Sequence, residues 1–252
     1  MPRKKVVGTC HICGTNGQLS YEHVPPEKAF NNRKLVKVGI EKMFSITSTS
    51  LPKGKFSQKG MGAYTLCPQC NNNTGSWYAN KFIDWCNQCM EILIKTKSAP
   101  SLIYIQYMYP LEILKQIAAM FFSCERDRFH LFNQDLVRFV LNKHQRELPE
   151  FYRFFIAYNA SGLYKIISTV GLLDLGNRKR SIFSEIAFPP FVYVMTTHGD
   201  MPPDKRLYEI TYFKNYVFNY PKAMEVKLPV LPINTGIPGD YRSIQEVRDK
   251  NI

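Results

Sequence analysis

Three pairs of cysteines carry the first chemical signal. Six of the seven cysteines in this 252-residue chain fall into C-x-x-C pairs: Cys10/Cys13, Cys67/Cys70 and Cys86/Cys89. Such spacing in a chain with no export signature argues for metal or redox use rather than disulfides. The first two pairs stand in knuckle-like contexts, Cys10-His11-Ile12-Cys13-Gly14 and Leu66-Cys67-Pro68-Gln69-Cys70-Asn71. Gly14 permits a tight turn after one pair, and Pro68 stiffens the turn of the other. Together they offer four thiolates to a tetrahedral Zn²⁺, a closed structural site rather than a catalytic one. The third pair shares a helix-spaced stripe with Phe82, Trp85 and Leu93 within residues 76–96, which makes it core. Cys124 closes another apolar segment and reads as core too.

A second set of reactive groups lies between the knuckles, in Leu19-Ser20-Tyr21-Glu22-His23-Val24-Pro25-Pro26. The second knuckle is followed at once by Asn71-Asn72-Asn73-Thr74-Gly75. A zinc gripping both knuckles would hold the segment with Glu22 and His23 against the start of the following helix. Carboxylate, imidazole and amide oxygen would then converge. Carboxylate and amide oxygens are hard ligands suited to Mg²⁺ or Mn²⁺. An imidazole exchanges protons near neutral pH and can accept one from an attacking water. With a cation to stabilise charge on a phosphate, this is the chemistry of phosphodiester hydrolysis. The chain has no Gly-rich phosphate loop of the nucleotide-binding type.

The order C-x-x-C, Glu-His, x-x-Pro, C-x-x-C-Asn resembles the HNH (His-Me finger, ββα-metal) endonucleases. The likeness is to their zinc-bound four-cysteine branch, which includes phage junction-resolving endonucleases, and it covers about residues 8–80. The resemblance implies Glu22 and Asn71 as ligands of a catalytic Mg or Mn ion and His23 as general base. It implies Cys10, Cys13, Cys67 and Cys70 as the structural zinc ligands. Three departures stand out. Glu22 replaces the usual, shorter aspartate. Met61-Gly62-Ala63-Tyr64 stands where the family often has an orienting asparagine, a role that would pass to some other group, with Asn72 and Asn73 as candidates. Finally, 43 residues separate His23 from Cys67, more than a compact finger needs.

Charge supplies a reason for that extra length. The chain carries 33 Lys+Arg against 20 Asp+Glu, a net +13 that points to an anionic partner. Residues 1–98 hold 14 basic and 5 acidic side chains, a difference of +9. The imbalance is densest in the insertion 28–59, where Lys28, Arg33, Lys34, Lys37, Lys42, Lys53, Lys55 and Lys59 face Glu41 alone. A merely solvated loop is the plain alternative. Beside a hydrolytic site, Arg33, Lys34, Lys53, Lys55 and Lys59 suit phosphate contact with counterion release. No apolar run reaches about 18 residues, so a membrane span is not expected. The start, Met1 to Gly8, has charge without an apolar core, and the chain is expected to be cytoplasmic.

The fold class expected is α+β: a zinc-stabilised ββα-metal (HNH) finger in residues 1–98, followed by an α+β accessory domain in 99–252. In the second part, residues 111–122 read as an apolar helix after Pro110. Residues 133–146 read as an amphipathic one with Leu136, Val140 and Leu141 inward. Residues 151–158 and 163–170 flank Asn159-Ala160-Ser161-Gly162, a hairpin signal. Strand-like runs follow at 182–188, 191–197 and 207–213. His130, His144 and His198 read as structural or surface residues, and Arg178-Lys179-Arg180 as a solvated turn. The function expected is a metal-dependent endonuclease acting on DNA in phage defence, restriction or a mobile element. Its second half would serve dimerisation, target choice or a regulatory partner. The alternative is a zinc-stabilised nucleic-acid-binding module without catalysis.

Overall fold

Strand and helix mix throughout the chain, whose computed structural model describes residues 5–39, 54–96, 101–160, 164–174 and 179–249. β1 (Val6–Thr9) and β2 (Asn16–His23) form an antiparallel hairpin whose turn holds the first cysteine pair. Gly14 adopts φ +75° there, a left-handed conformation costly to other residues. A short ribbon of β3 (Leu35–Lys37) and β4 (Lys55–Ser57) comes next. Then β5 (Gly62–Leu66) pairs antiparallel with β2 to complete the sheet β1-β2-β5. Residues 40–53 of the basic insertion, Lys42 and Lys53 included, lie outside the described residues.

The helix after β5 starts earlier than residue 76. α1 (Pro68–Thr74) begins inside the second knuckle, with Cys67 as N-cap and Pro68 in the first turn. Proline suits that position because the first helical N–H groups have no intrahelical partner anyway. Gly75 keeps right-handed helical angles, so the chain continues through a π turn, Gly75–Ala79, into α2 (Asn80–Lys95). Asn71 therefore sits on a helix fixed in place by the knuckle itself.

The remainder builds a larger sheet. In chain order its strands are β6 (Ser101–Met108), β7 (Arg153–Asn159), β8 (Lys165–Asp174), β9 (Lys179–Phe188), β10 (Phe191–Thr196), β11 (Tyr208–Glu209) and β12 (Lys222–Leu231). Their spatial order is β6-β12-β7-β10-β9-β8, with β11 also beside β7. Only the β12–β7 pairing is parallel among those described. The hairpin expected between β7 and β8 does not form, because β10 and β9 stand between them. β7 is buried from Phe154 to Asn159 and takes a central place, whereas β8 lies at the sheet's edge. Burial of the apolar strand outweighs the local turn chemistry. The true hairpin is β9–β10, around Pro189-Pro190. The 207–213 run yields only β11 before a 3₁₀ turn, Thr211–Asn215.

α3 (Pro110–Cys124) is buried on every side from Pro110 to Phe122, its polar Glu112, Lys115 and Gln116 included. It touches α2, β5 and β8, so it links the cysteine-bearing sheet to the larger one. α4 (Phe129–Phe132) and α5 (Gln134–Leu141) follow. Leu136 and Val140 are buried as expected and Leu141 is half-buried, but α5 stops short of residue 146. One buried cluster runs from Cys10, Ile12 and Leu66 through Phe82 and Trp85 to Phe154, Phe191 and Tyr193. Trp85 stacks on Phe191 with ring centroids 4.3 Å apart and donates from Nε1 to Gln106 at 2.7 Å. Cys86 and Cys89 are fully enclosed here, and Cys124 packs at the edge of the same cluster. None of the seven cysteines is in a disulfide. No described helix is long and apolar enough to cross a membrane.

Candidate active site and metal centre

The two knuckles meet. The Sγ atoms of Cys10, Cys13, Cys67 and Cys70 all lie within 4.8 Å of one another. Cys13 and Cys67 are 3.8 Å apart, and tetrahedral zinc with bonds of about 2.3 Å places its sulfurs about 3.8 Å apart. Protonation of the set is frustrated. A hydrogen bond from the Cys70 thiol holds Cys10 down to about 4, and the same bond with burial holds Cys70 far above its ordinary value. Four thiolates can coexist in this space only around a cation, so the residues fit a structural zinc. The centre is anchored to the rest of the molecule. His11 Nδ1 lies 3.1 Å from the Phe122 carbonyl of α3, and the His11 N–H donates to Thr65 O at 2.8 Å. Thr65 Oγ1 in turn donates to Ser123 Oγ at 3.1 Å.

Glu22 and His23 are the last two residues of β2, opposite Ala63 and Gly62 of β5. The register slips between Ser20 and Tyr21, leaving Thr65 as an extra residue in β5. Such bulges bend a strand and re-aim its side chains. Asn71 reaches the strand from α1, its Nδ2 donating to Ser20 Oγ at 3.0 Å and to Tyr21 O at 3.4 Å. That leaves Oδ1 as the atom available to a cation. Ser20 and Glu22 alternate onto the same face of β2, the face on which Asn71 meets Ser20. Burial pushes the Glu22 carboxyl up to about 7, and no described neighbour offsets it. Carboxylate and amide oxygens are donor types that Mg²⁺ or Mn²⁺ takes, and a cation bound to Glu22 would restore its charge.

His23 leaves the strand on the other face, with Tyr21. Their rings meet edge-on at 5.0 Å. His23 Nε2 is 2.9 Å from the Lys59 carbonyl. A carbonyl only accepts, so Nε2 carries the hydrogen and the Nδ1 lone pair is left to take a proton. Gly62, directly opposite, has no room for a side chain: a Cβ there would stand 2.3 Å from Glu22 O.

A residue outside the expected set braces the segments that adjoin this histidine. Asn31 is fully buried, donates to Pro25 O at 2.6 Å and Met61 O at 2.7 Å, and accepts from Met61 N at 2.6 Å. It ties the turn after His23 to the loop that carries Lys59. Among the described residues, neither Asn72 nor Asn73 makes a side-chain hydrogen bond to Glu22 or His23, whereas Asn31 lies beside the segments that carry His23 and Lys59. Asn72 is exposed, and the two serve through their backbone carbonyls, which accept from Gly75 N and Ser76 Oγ. Nothing local marks Asn31 in the sequence, since asparagines are ordinary in polar loops.

Beside His23 opens a cleft of about 720 Å³, whose walls include Tyr21, Lys37, Lys55, Phe56, Lys59 and Tyr64. Lys55 and Lys59, the candidates for phosphate contact, are among its lining residues. Arg33 and Lys34 are exposed on the approach to β3 and are not among its lining residues. Lys53 lies outside the described residues. Lys37 is an addition: its ammonium bonds the Gly62 carbonyl, and burial, then the nearby Lys55 charge, lower its proton affinity. Comparison of the chain with protein-family models, with curated proteins and with solved structures finds no match.

Proposed function

We propose that this protein is a metal-dependent endonuclease of the HNH type, hydrolysing phosphodiester bonds in nucleic acid, with DNA as the expected substrate. The observation that supports it most is the His23 imidazole, oriented by the Lys59 carbonyl at 2.9 Å and bordering a lysine-lined cleft. Glu22 and His23 leave the end of β2 on opposite faces, and Glu22 and Asn71 are not among the residues lining the cleft beside His23. The phosphate to be cut would have to sit over the strand's end, between the two faces. Lys55 and Lys59 would hold the neighbouring phosphates. His23 Nδ1 takes a proton from water as the water oxygen bonds to phosphorus. The P–O3′ bond breaks, and the departing O3′ is protonated by solvent. A Mg²⁺ or Mn²⁺ ion held by Glu22 and Asn71 would supply stabilisation of the charge that develops on the phosphate and leaving oxygen. The zinc centre takes no part in the chemistry; it fixes β2 against α1.

Plasmid DNA incubated with Mg²⁺, Mn²⁺ or EDTA tests the proposal. Cleavage should need the divalent ion, and His23→Ala should slow it by about 10²–10⁴-fold with zinc content and DNA retention unchanged. Wild-type cleavage by His23→Ala would reject the assigned base. Retention of DNA with no cleavage under any ion would favour a binding module instead.

A further inference from the structure

Two large aromatic side chains stand in water on the walls of the cleft. Phe56 of β4 is 57% exposed and Tyr64 of β5 is 44% exposed, whereas the aromatic residues of the larger sheet are mostly enclosed. Tyr64 is steadied by Tyr21, whose ring meets it edge-on at 5.4 Å. Phe56 has no hydrogen-bonding group, so all it can offer a ligand is an apolar face. Lys37, Lys55 and Lys59 line the same cleft, the Lys37 ammonium being bonded to the Gly62 carbonyl.

We infer that this cleft takes single-stranded or locally unpaired nucleic acid, with its bases stacked on Phe56 and Tyr64 and its phosphates on the lysines. The inference rests on the proposed nuclease site for its position but not for its binding chemistry. Cationic side chains interleaved with exposed rings are how proteins hold unpaired strands, since every base has a π-face and every linkage a charge. A continuous duplex keeps its base faces stacked on each other and would present only phosphates and groove edges to these walls. An acidic peptide would satisfy the lysines and leave both rings in water. Charge and aromatic surface together therefore select the unpaired strand.

Binding measured by fluorescence anisotropy in EDTA, where no cleavage occurs, decides the matter. The probes are a short single strand of DNA, the matching RNA, the DNA duplex, an abasic strand of equal charge, and polyglutamate. A single strand, of DNA or RNA, should bind more tightly than duplex, abasic strand or polyglutamate. Phe56→Leu and Tyr64→Leu should each weaken single-strand binding roughly 5- to 150-fold and leave duplex binding unchanged. Tyr64→Phe, which keeps the ring, should restore the affinity lost in Tyr64→Leu. Duplex or abasic strand bound as tightly as the single strand would overturn the inference, as would full single-strand affinity in both leucine variants. Failure of metal-dependent cleavage in the plasmid assay would instead count against the nuclease reading alone.

Discussion

At the scale of single residues, the groups that would do the chemistry and the groups that hold them announce themselves differently. Glu22, His23 and Asn71 stand out because few residue types can bind a hard cation or move a proton, and their order along the chain is distinctive. Asn31 carries no such mark, and only its three short hydrogen bonds reveal it. Asn31→Ala would leave the Met61 N–H and the Pro25 carbonyl buried without their partner, at about 1–3 kcal/mol for each group. We expect the variant to lose roughly that much stability in chemical denaturation. Its cleavage rate should fall as well, because the Lys59 carbonyl would no longer be held against His23. Undiminished stability would show that the loop is positioned by other contacts.

At the scale of elements, α3 carries an ionisable pair that no periodicity argument foresees. Residues 111–122 read as an apolar helix, yet Glu112 and Lys115 are enclosed with the rest of it. The Lys115 ammonium donates to Phe139 O and to Asn142 O, at 2.7 Å for the latter, and so closes the C-terminal end of α5. Burial pushes Lys115 down to about 7, partly opposed by the Glu112 carboxylate. In the unfolded chain the same amine holds its proton to about pH 10.4. Between those values the unfolded state carries the extra proton, so stability should rise with pH by up to about 1.4 kcal/mol per unit. Denaturation from about pH 7.5 to pH 9 should show this slope in the wild type and lose it in Lys115→Met; parallel curves would mean that Lys115 stays charged. The elements themselves were partly legible. Pro110 and the apolar run located α3, and the thiol stripe located α2. The start of α1 is not legible because residues 68–75, with three consecutive asparagines, have no apolar stripe; the capping knuckle sets it there.

At the scale of the whole molecule, the net charge of +13 acquires a direction. Lys55 and Lys59 face the cleft, while Arg33 and Lys34 lie on the approach to β3. Nucleic-acid affinity should therefore depend on salt, and Lys55→Gln with Lys59→Gln should flatten the log–log slope by about 1.4 to 1.8. Arg33→Gln with Lys34→Gln should flatten it less, and equal effects in a salt titration would disperse the footprint over the insertion. The sequence by itself determined the mixed α/β character, the zinc-ligand spacing, the candidate chemical groups and the basic insertion. These depend on residue types at short separations along the chain. Tertiary structure alone decided that the four thiols meet across 54 positions, that Asn31 ties the turn after His23 to Met61, and that Phe56 and Tyr64 share a cleft with the lysines. It also decided that β7 pairs with β10 and not β8. Those outcomes are set by which apolar surfaces bury one another across the fold, and no local pattern along the chain encodes that competition.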